Sequence, residues 1–297
     1  VRVDTDKTRR RPSLVRLFKE RTHPKDIALI LTFPVILTLV HQLPLELRES
    51  LVFDYTDPTL LTAFTSSFVH LETGHLFTNV FLYFLVVPVL YILGVVSGSR
   101  RQFHVFVITV LVAFPPVLSY MNLAITRSSV TFGSSGIVMA FAGCLPLALA
   151  DYFESEFGIG PVDTFAPMMF ITSVGLISVL SVQSVIPENS TVLVGTAGLI
   201  LVVLLTILLY VISAYKQEND VRSKLRSSAE ATGYFELIIV TGFLFVTILL
   251  VAFPVDPTTE GGILNLYEHF VGYSLGFIAS FTTVELTRRI ERRDVFS

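Results

Sequence analysis

Residues 75–97 read His75-Leu-Phe-Thr-Asn79-Val-Phe-Leu-Tyr-Phe-Leu-Val-Val-Pro88-Val-Leu-Tyr-Ile-Leu-Gly-Val-Val-Ser97, with no Asp, Glu, Lys or Arg among them. A helix of about 20 apolar residues spans a bilayer, so this stretch is a transmembrane helix with two polar side chains at its head. Seven more apolar windows recur along the chain: 27–43, 102–123, 133–150, 167–187, 192–215, 234–254 and 263–286. The eight windows hold 170 of the 297 residues and only three charged ones, Glu236, Glu268 and Glu285. The other 42 charges are crowded between and beyond them. A soluble domain needs a charged skin, and 15% charged residues at a mean hydropathy of +0.71 do not make one. That excludes a soluble enzyme and a disordered chain. An outer-membrane barrel would show alternating segments of about ten residues, so the expected fold is all-α: a polytopic membrane helix bundle with eight transmembrane segments.

Lys and Arg give the orientation. With eight crossings, the cations in 1–25, at Arg100–Arg101, at Lys216, Arg222, Lys224 and Arg226, and at Arg288, Arg289, Arg292 and Arg293 fall on one side. Arg48 and Arg127 fall on the other. The positive-inside rule puts both termini in the cytoplasm. The organisation read from this is a basic N-terminal tail (1–26), a transmembrane domain (27–286) and a basic C-terminal tail (287–297). The first helix has no small-residue cleavage site before it and reads as retained. Pro12–Arg21 reads as solvated, or as a basic amphipathic helix on anionic lipid. Cys144 has no disulfide partner in the chain and reads as a packing residue. The first outer segment, 44–74, turns apolar and aromatic toward Leu60, Leu61, Phe64, Phe68 and Val69, so it is expected to sit in the interface. Pro88, Pro115 and Pro116 lie inside helices and should kink them.

Ionisable and polar groups at membrane depth are functional candidates. Three groups of them matter. His70-Leu-Glu-Thr-Gly-His75-Leu-Phe-Thr-Asn79 enters the second span, with His75 and Asn79 four apart on one helix face. Gly133-Ser134-Ser135-Gly136 opens the fourth. His269-Phe-Val-Gly272-Tyr-Ser-Leu-Gly276 lies in the eighth, with His269 at a depth of ~10 Å at 1.5 Å per residue. Parity places all three in the outer third of the bilayer. Serine becomes a nucleophile when a base takes its proton, and histidine is the usual base. Ser135 and His269 could form such a pair. Ser135 at a helix N-terminus would have free N–H groups for a developing oxyanion, and His75 and Asn79 can add donors. Gly272 and Gly276 permit close helix packing, and Gly136, Ala140 and Gly143 form a matching small face.

Other chemistries fit less well. Glu268 precedes His269 by one residue, points ~100° away on a helix, and reads as an interfacial residue. His70 and His75, five apart, split across faces, and no H-E-x-x-H occurs, so no metal site is expected. No G-x-G-D string suggests an aspartyl protease. His41 and His104 lie near helix ends and read as interfacial.

The set H-x4-H-x3-N (His70, His75, Asn79), G-x-S-G (Gly133 to Gly136) and H-x2-G-x3-G (His269, Gly272, Gly276) resembles the rhomboid family of intramembrane serine proteases. The resemblance spans windows 1–4 and the last, about two-thirds of the chain. It implies a six-helix core, here with two extra helices, that cleaves transmembrane helices near their extracytoplasmic ends without metal or cofactor. It implies Ser135 as nucleophile, His269 as base, and His75, Asn79 and the Ser135 N–H as oxyanion donors. His70 is then a supporting residue. The partners implied are a substrate's transmembrane helix and the lipid bilayer, with no nucleic acid, and the location is the cell membrane. Three windows separate the serine and histidine helices here, where the family core has one, which leaves either the fifth or the seventh window as the substrate gate. Leu61-Thr62 stands where the family often carries Trp-Arg. Segment 254–262 reads as a mobile cap over the site. The alternatives are a catalytically silent rhomboid-like protein that binds membrane helices, and a small transporter.

Overall fold

The computed structural model describes residues 12–125, 130–185, 190–217, 232–259 and 262–295. Every apolar window coincides with a long helix: α2 (Pro24–His41), α5 (Thr73–Val96), α6 (Arg100–Asn122), α7 (Ser135–Tyr152), α8 (Val162–Val185), α9 (Ser190–Gln217), α10 (Tyr234–Ala252) and α11 (Leu266–Val295). Six of these, α2, α5, α6, α7, α8 and α10, are long and apolar enough to cross a membrane. The molecule is a multi-pass helical bundle. Shorter helices α1 (Leu14–Arg21), α3 (Leu45–Glu49) and α4 (Leu60–Thr65) occupy the N-terminal tail and the segment between α2 and α5. Arg127, Arg222, Lys224 and Arg226, on which part of the orientation reading rests, lie outside the described residues.

Helix α7 is the axis. Its apolar window is 78% buried, against 22–50% for the other five crossing helices. It packs against α5, α6, α8, α10 and α11, while α9 packs on α8. Small residues explain the centre. Hydrophobic driving force is weak between helices in lipid, so close backbone approach must supply the packing. A Cβ on Gly276 would collide with the Ala140 carbonyl oxygen, and one on Gly143 with the Tyr273 carbonyl oxygen. Pro88, Pro115 and Pro116 lie inside α5 and α6 without ending them.

The end of the bundle where α2 begins is tied by a buried carboxylate. Asp26 accepts from Tyr91 Oη at 2.6 Å, Arg100 Nη2 at 2.8 Å, His104 Nε2 at 2.8 Å and the His23 N–H at 2.9 Å. His104, expected as a plain interfacial residue, is thus a member of this ion cluster. The tail is docked as well as basic. Leu14, Leu17 and Phe18 of α1 pack on the hydrophobic core, the Leu14 N–H donates to the Thr232 carbonyl at 3.3 Å, and Arg21 caps the Val95 and Val96 carbonyls at 3.1 Å. Protein, rather than water or lipid alone, takes the apolar face of α1.

Candidate active site

The segment between α2 and α5 folds over the head of α7. Arg48 Nη1 donates to the His70 carbonyl at 2.6 Å and the Leu71 carbonyl at 3.2 Å, and Arg48 Nε to the Leu43 carbonyl at 3.2 Å. His41, read as interfacial, lies 3.2 Å through Nε2 from Thr73 Oγ1. Strand β1 (Phe53–Asp54) pairs antiparallel with β2 (Val130–Thr131), Phe53 opposite Thr131. The Gly133 N–H donates to the Ser66 carbonyl at 2.9 Å. Backbone groups that hydrocarbon could not satisfy are paired in this way, and the pairing delivers residues 130–133 to the head of α7.

Gly133 is fixed by its backbone and its neighbour. Its φ is +108°, and a Cβ there would meet the His75 ring at 2.7 Å. His75 therefore lies directly against the turn that presents the serines. Ser134 is wholly buried, whereas Ser135 is partly exposed. The Ser134 N–H donates to His70 Nε2 at 3.3 Å, and Asn79 Nδ2 lies 2.9 Å from the same nitrogen. A backbone N–H can only donate, so His70 Nε2 holds the lone pair and the ring is neutral. Burial pushes the His70 pKa down to about 3, with the neighbouring His75 and His41 adding to the shift. His70 thus ties α5 to the serine turn.

Helices α7 and α11 run in the same direction from this end. A Cβ on Gly272 would collide with the Gly136 carbonyl oxygen, as one on Gly276 would with that of Ala140. That register brings His269, one turn before Gly272, level with Gly133 to Ser135. His269 is 5% exposed. Its Nδ1 lies 2.9 Å from the Ala252 carbonyl at the end of α10, and its Nε2 is buried with no hydrogen-bond partner. The structure therefore brings all nine candidate residues to one end of the bundle, and Ser135 and His269 are not hydrogen-bonded to each other in this state. Catalytic hydrogen bonds are often long in unliganded sites.

Glu268 is not interfacial. It is 6% exposed, and its Oε2 accepts from Asn122 Nδ2 at 3.2 Å, Thr131 Oγ1 at 3.0 Å and Asn265 Nδ2 at 3.0 Å. The end of α6 and strand β2 occupy the face it points to, whereas His269 reaches Ala252. Asn265-x-x-Glu268 has the spacing of an N-cap residue and the third residue of its helix, and the Glu268 N–H does donate to Asn265 Oδ1 at 3.2 Å. That was the available signal. Residues 258–259 and 262–263, which overlap the expected cap, pair antiparallel as β3 (Thr258–Thr259) and β4 (Gly262–Ile263), and residues 260–261 of that segment lie outside the described residues. Among the described residues no group of three or more His, Cys, Asp or Glu is placed to hold a metal ion.

No protein-family model, no curated protein and no solved structure matches the chain.

Proposed function

We propose that this chain is a rhomboid-like intramembrane serine protease of eight crossings, with both termini cytoplasmic, that cleaves transmembrane helices near their extracytoplasmic ends. One observation carries the reading: the glycine-lined contact of α7 with α11 sets the serine turn beside a buried histidine whose Nε2 is unpartnered. Partial exposure favours Ser135 over the buried Ser134 as nucleophile. A carbonyl oxygen can only accept, so contact with Ala252 keeps the proton on His269 Nδ1 and the lone pair on Nε2, the nitrogen a base must use. A backbone carbonyl thus does the orienting that a carboxylate does in a triad.

In this mechanism a substrate helix enters sideways and unwinds locally. His269 Nε2 takes the Ser135 proton as Oγ attacks the scissile carbonyl carbon. The Ser135 N–H, His75 and Asn79 stabilise the oxyanion. His269 then gives the proton to the leaving amine, and water releases the acyl-enzyme. Helix α10 is the better gate candidate of the two left open by the sequence. It packs on α5 and α7 and ends at the carbonyl that holds His269, whereas α8, which also packs on α7 and α11, pairs with α9 and holds no site residue.

A second reading, a silent rhomboid-like protein that binds membrane helices, draws on the absent Ser135–His269 bond. Labelling of the detergent-solubilised protein with a fluorophosphonate decides between them. Label on wild type and none on Ser135→Ala or His269→Ala supports the protease. No label on folded wild type overturns it.

A further inference from the structure

Glu268 is a buried acidic side chain that the mechanism above does not use. Burying a carboxylate is costly unless it is well hydrogen-bonded, so its surroundings are informative. Three donors converge on one oxygen, Oε2, and they come from three different parts of the chain. Asn122 closes α6, Thr131 stands in β2 two residues before Gly133, and Asn265 caps α11. Asn265 Nδ2 also reaches Asn122 Oδ1 at 2.9 Å, so the amides are bonded to each other as well as to the carboxylate. The second oxygen faces the serine turn: a Cβ on Gly136 would meet Glu268 Oε1 at 2.9 Å. The next residue, His269, reaches in another direction, to Ala252 on α10.

From this geometry we infer that Glu268 is the positioning residue of the site, joining the strand that leads into the serine turn to the helix that bears the base. The inference rests on the serine-protease reading and deepens it. Ser135 and His269 lie on separate helices 134 positions apart in sequence. Glycine packing fixes how closely those helices approach, but smooth glycine surfaces allow sliding and rotation. The Glu268–Thr131 bond sits above that contact, on the serine side of Gly136, and removes that freedom. The carboxylate orients the nucleophile's loop, not the imidazole, and so works from a position next to the base without touching it.

The test is the rate of fluorophosphonate labelling, resolved into probe affinity and maximal labelling rate, in wild type, Glu268→Ala, Glu268→Gln, Thr131→Val and the double variant Thr131→Val/Glu268→Ala. Thermal unfolding of each is measured alongside. Displacements near 1 Å cost on the order of 10²-fold, so Glu268→Ala is expected to lower the maximal rate by about that factor with probe affinity little changed. Glu268→Gln keeps an oxygen acceptor and is expected to recover most of the rate. Thr131→Val leaves the carboxylate in place and is expected to lower the rate about tenfold, as for loss of one bond to a charged group. The double variant should be no slower than Glu268→Ala, since both changes break one link. If wild type labels and folded Thr131→Val or Glu268→Ala labels as fast, the inference fails while the protease reading stands. Equal losses in Glu268→Gln and Glu268→Ala, or additive losses in the double variant, also overturn it. If wild type does not label, the protease reading itself fails.

Discussion

His269 Nδ1 and the Ala252 carbonyl oxygen are 2.9 Å apart, and together they join the last helix to the end of the helix before it. The carbonyl has no proton to give, so the ring nitrogen must carry it. The neutral ring is therefore expected in the Nδ1–H form. Nitrogen NMR of protein labelled with ¹⁵N-histidine tests this, the signal being assigned by its loss in His269→Gln. A ring protonated on Nε2 instead would leave no base aimed at Ser135.

Ser134 and Ser135 are neighbours with opposite surroundings. Ser134 is wholly buried and bonded to His70 through its N–H, while Ser135 is partly exposed at the first position of α7. Ser135→Ala is expected to abolish labelling and cleavage, a loss of at least about 10³-fold. Ser134→Ala should keep measurable activity, because the backbone bond to His70 survives. The reverse ranking, measured on cleavage of a helical substrate in detergent, would reassign the nucleophile.

The helices were legible because lipid imposes length and apolarity on every crossing, and all eight windows became helices. The α7–α11 contact was legible for a similar reason: Gly136, Ala140, Gly143, Gly272 and Gly276 are the residue sizes that close approach demands. What escaped the sequence were bonds between distant positions. Asn122 and Glu268 are 146 residues apart, Asp26 and Tyr91 are 65 apart, and Arg48 reaches a carbonyl 22 residues on. Polar residues of this kind look interfacial until the elements that face them are known. The carbonyl of Ala252 could not be seen at all, since a backbone acceptor leaves no mark on residue type.

Gly276 and Gly242 give a paired test of the packing. A Cβ on Gly276 would strike the Ala140 carbonyl oxygen, while one on Gly242 meets nothing within 4 Å. Gly276→Ala must push α7 and α11 apart, and overpacking of this kind costs about 1–3 kcal/mol. It should lower the unfolding temperature in detergent and reduce labelling of Ser135. Gly242→Ala should be neutral or stabilising, because alanine favours a helix by about 1 kcal/mol over glycine. Equal stability of the two variants would remove the close contact as the basis of the site.

His70 makes stability depend on pH. Its pKa is about 3 in the folded protein against an ordinary 6.5, because burial disfavours the charged ring and His75 and His41 add to the effect. Between those values the unfolded chain binds the proton and the folded one does not, so stability falls as pH drops from about 6.5 toward 3. Asp54 and Asp256, whose pKa values are lowered by bonds from Thr56 and Thr258, act in the same direction but only below the ordinary carboxylate range. Between pH 7 and about 4.5 the exposed carboxylates are therefore largely silent. In that interval wild type should lose thermal stability on acidification. His70→Gln, which can still accept from Asn79 and Ser134 but does not titrate, should lose less. A variant as acid-sensitive as wild type would show that His70 is not the group being protonated.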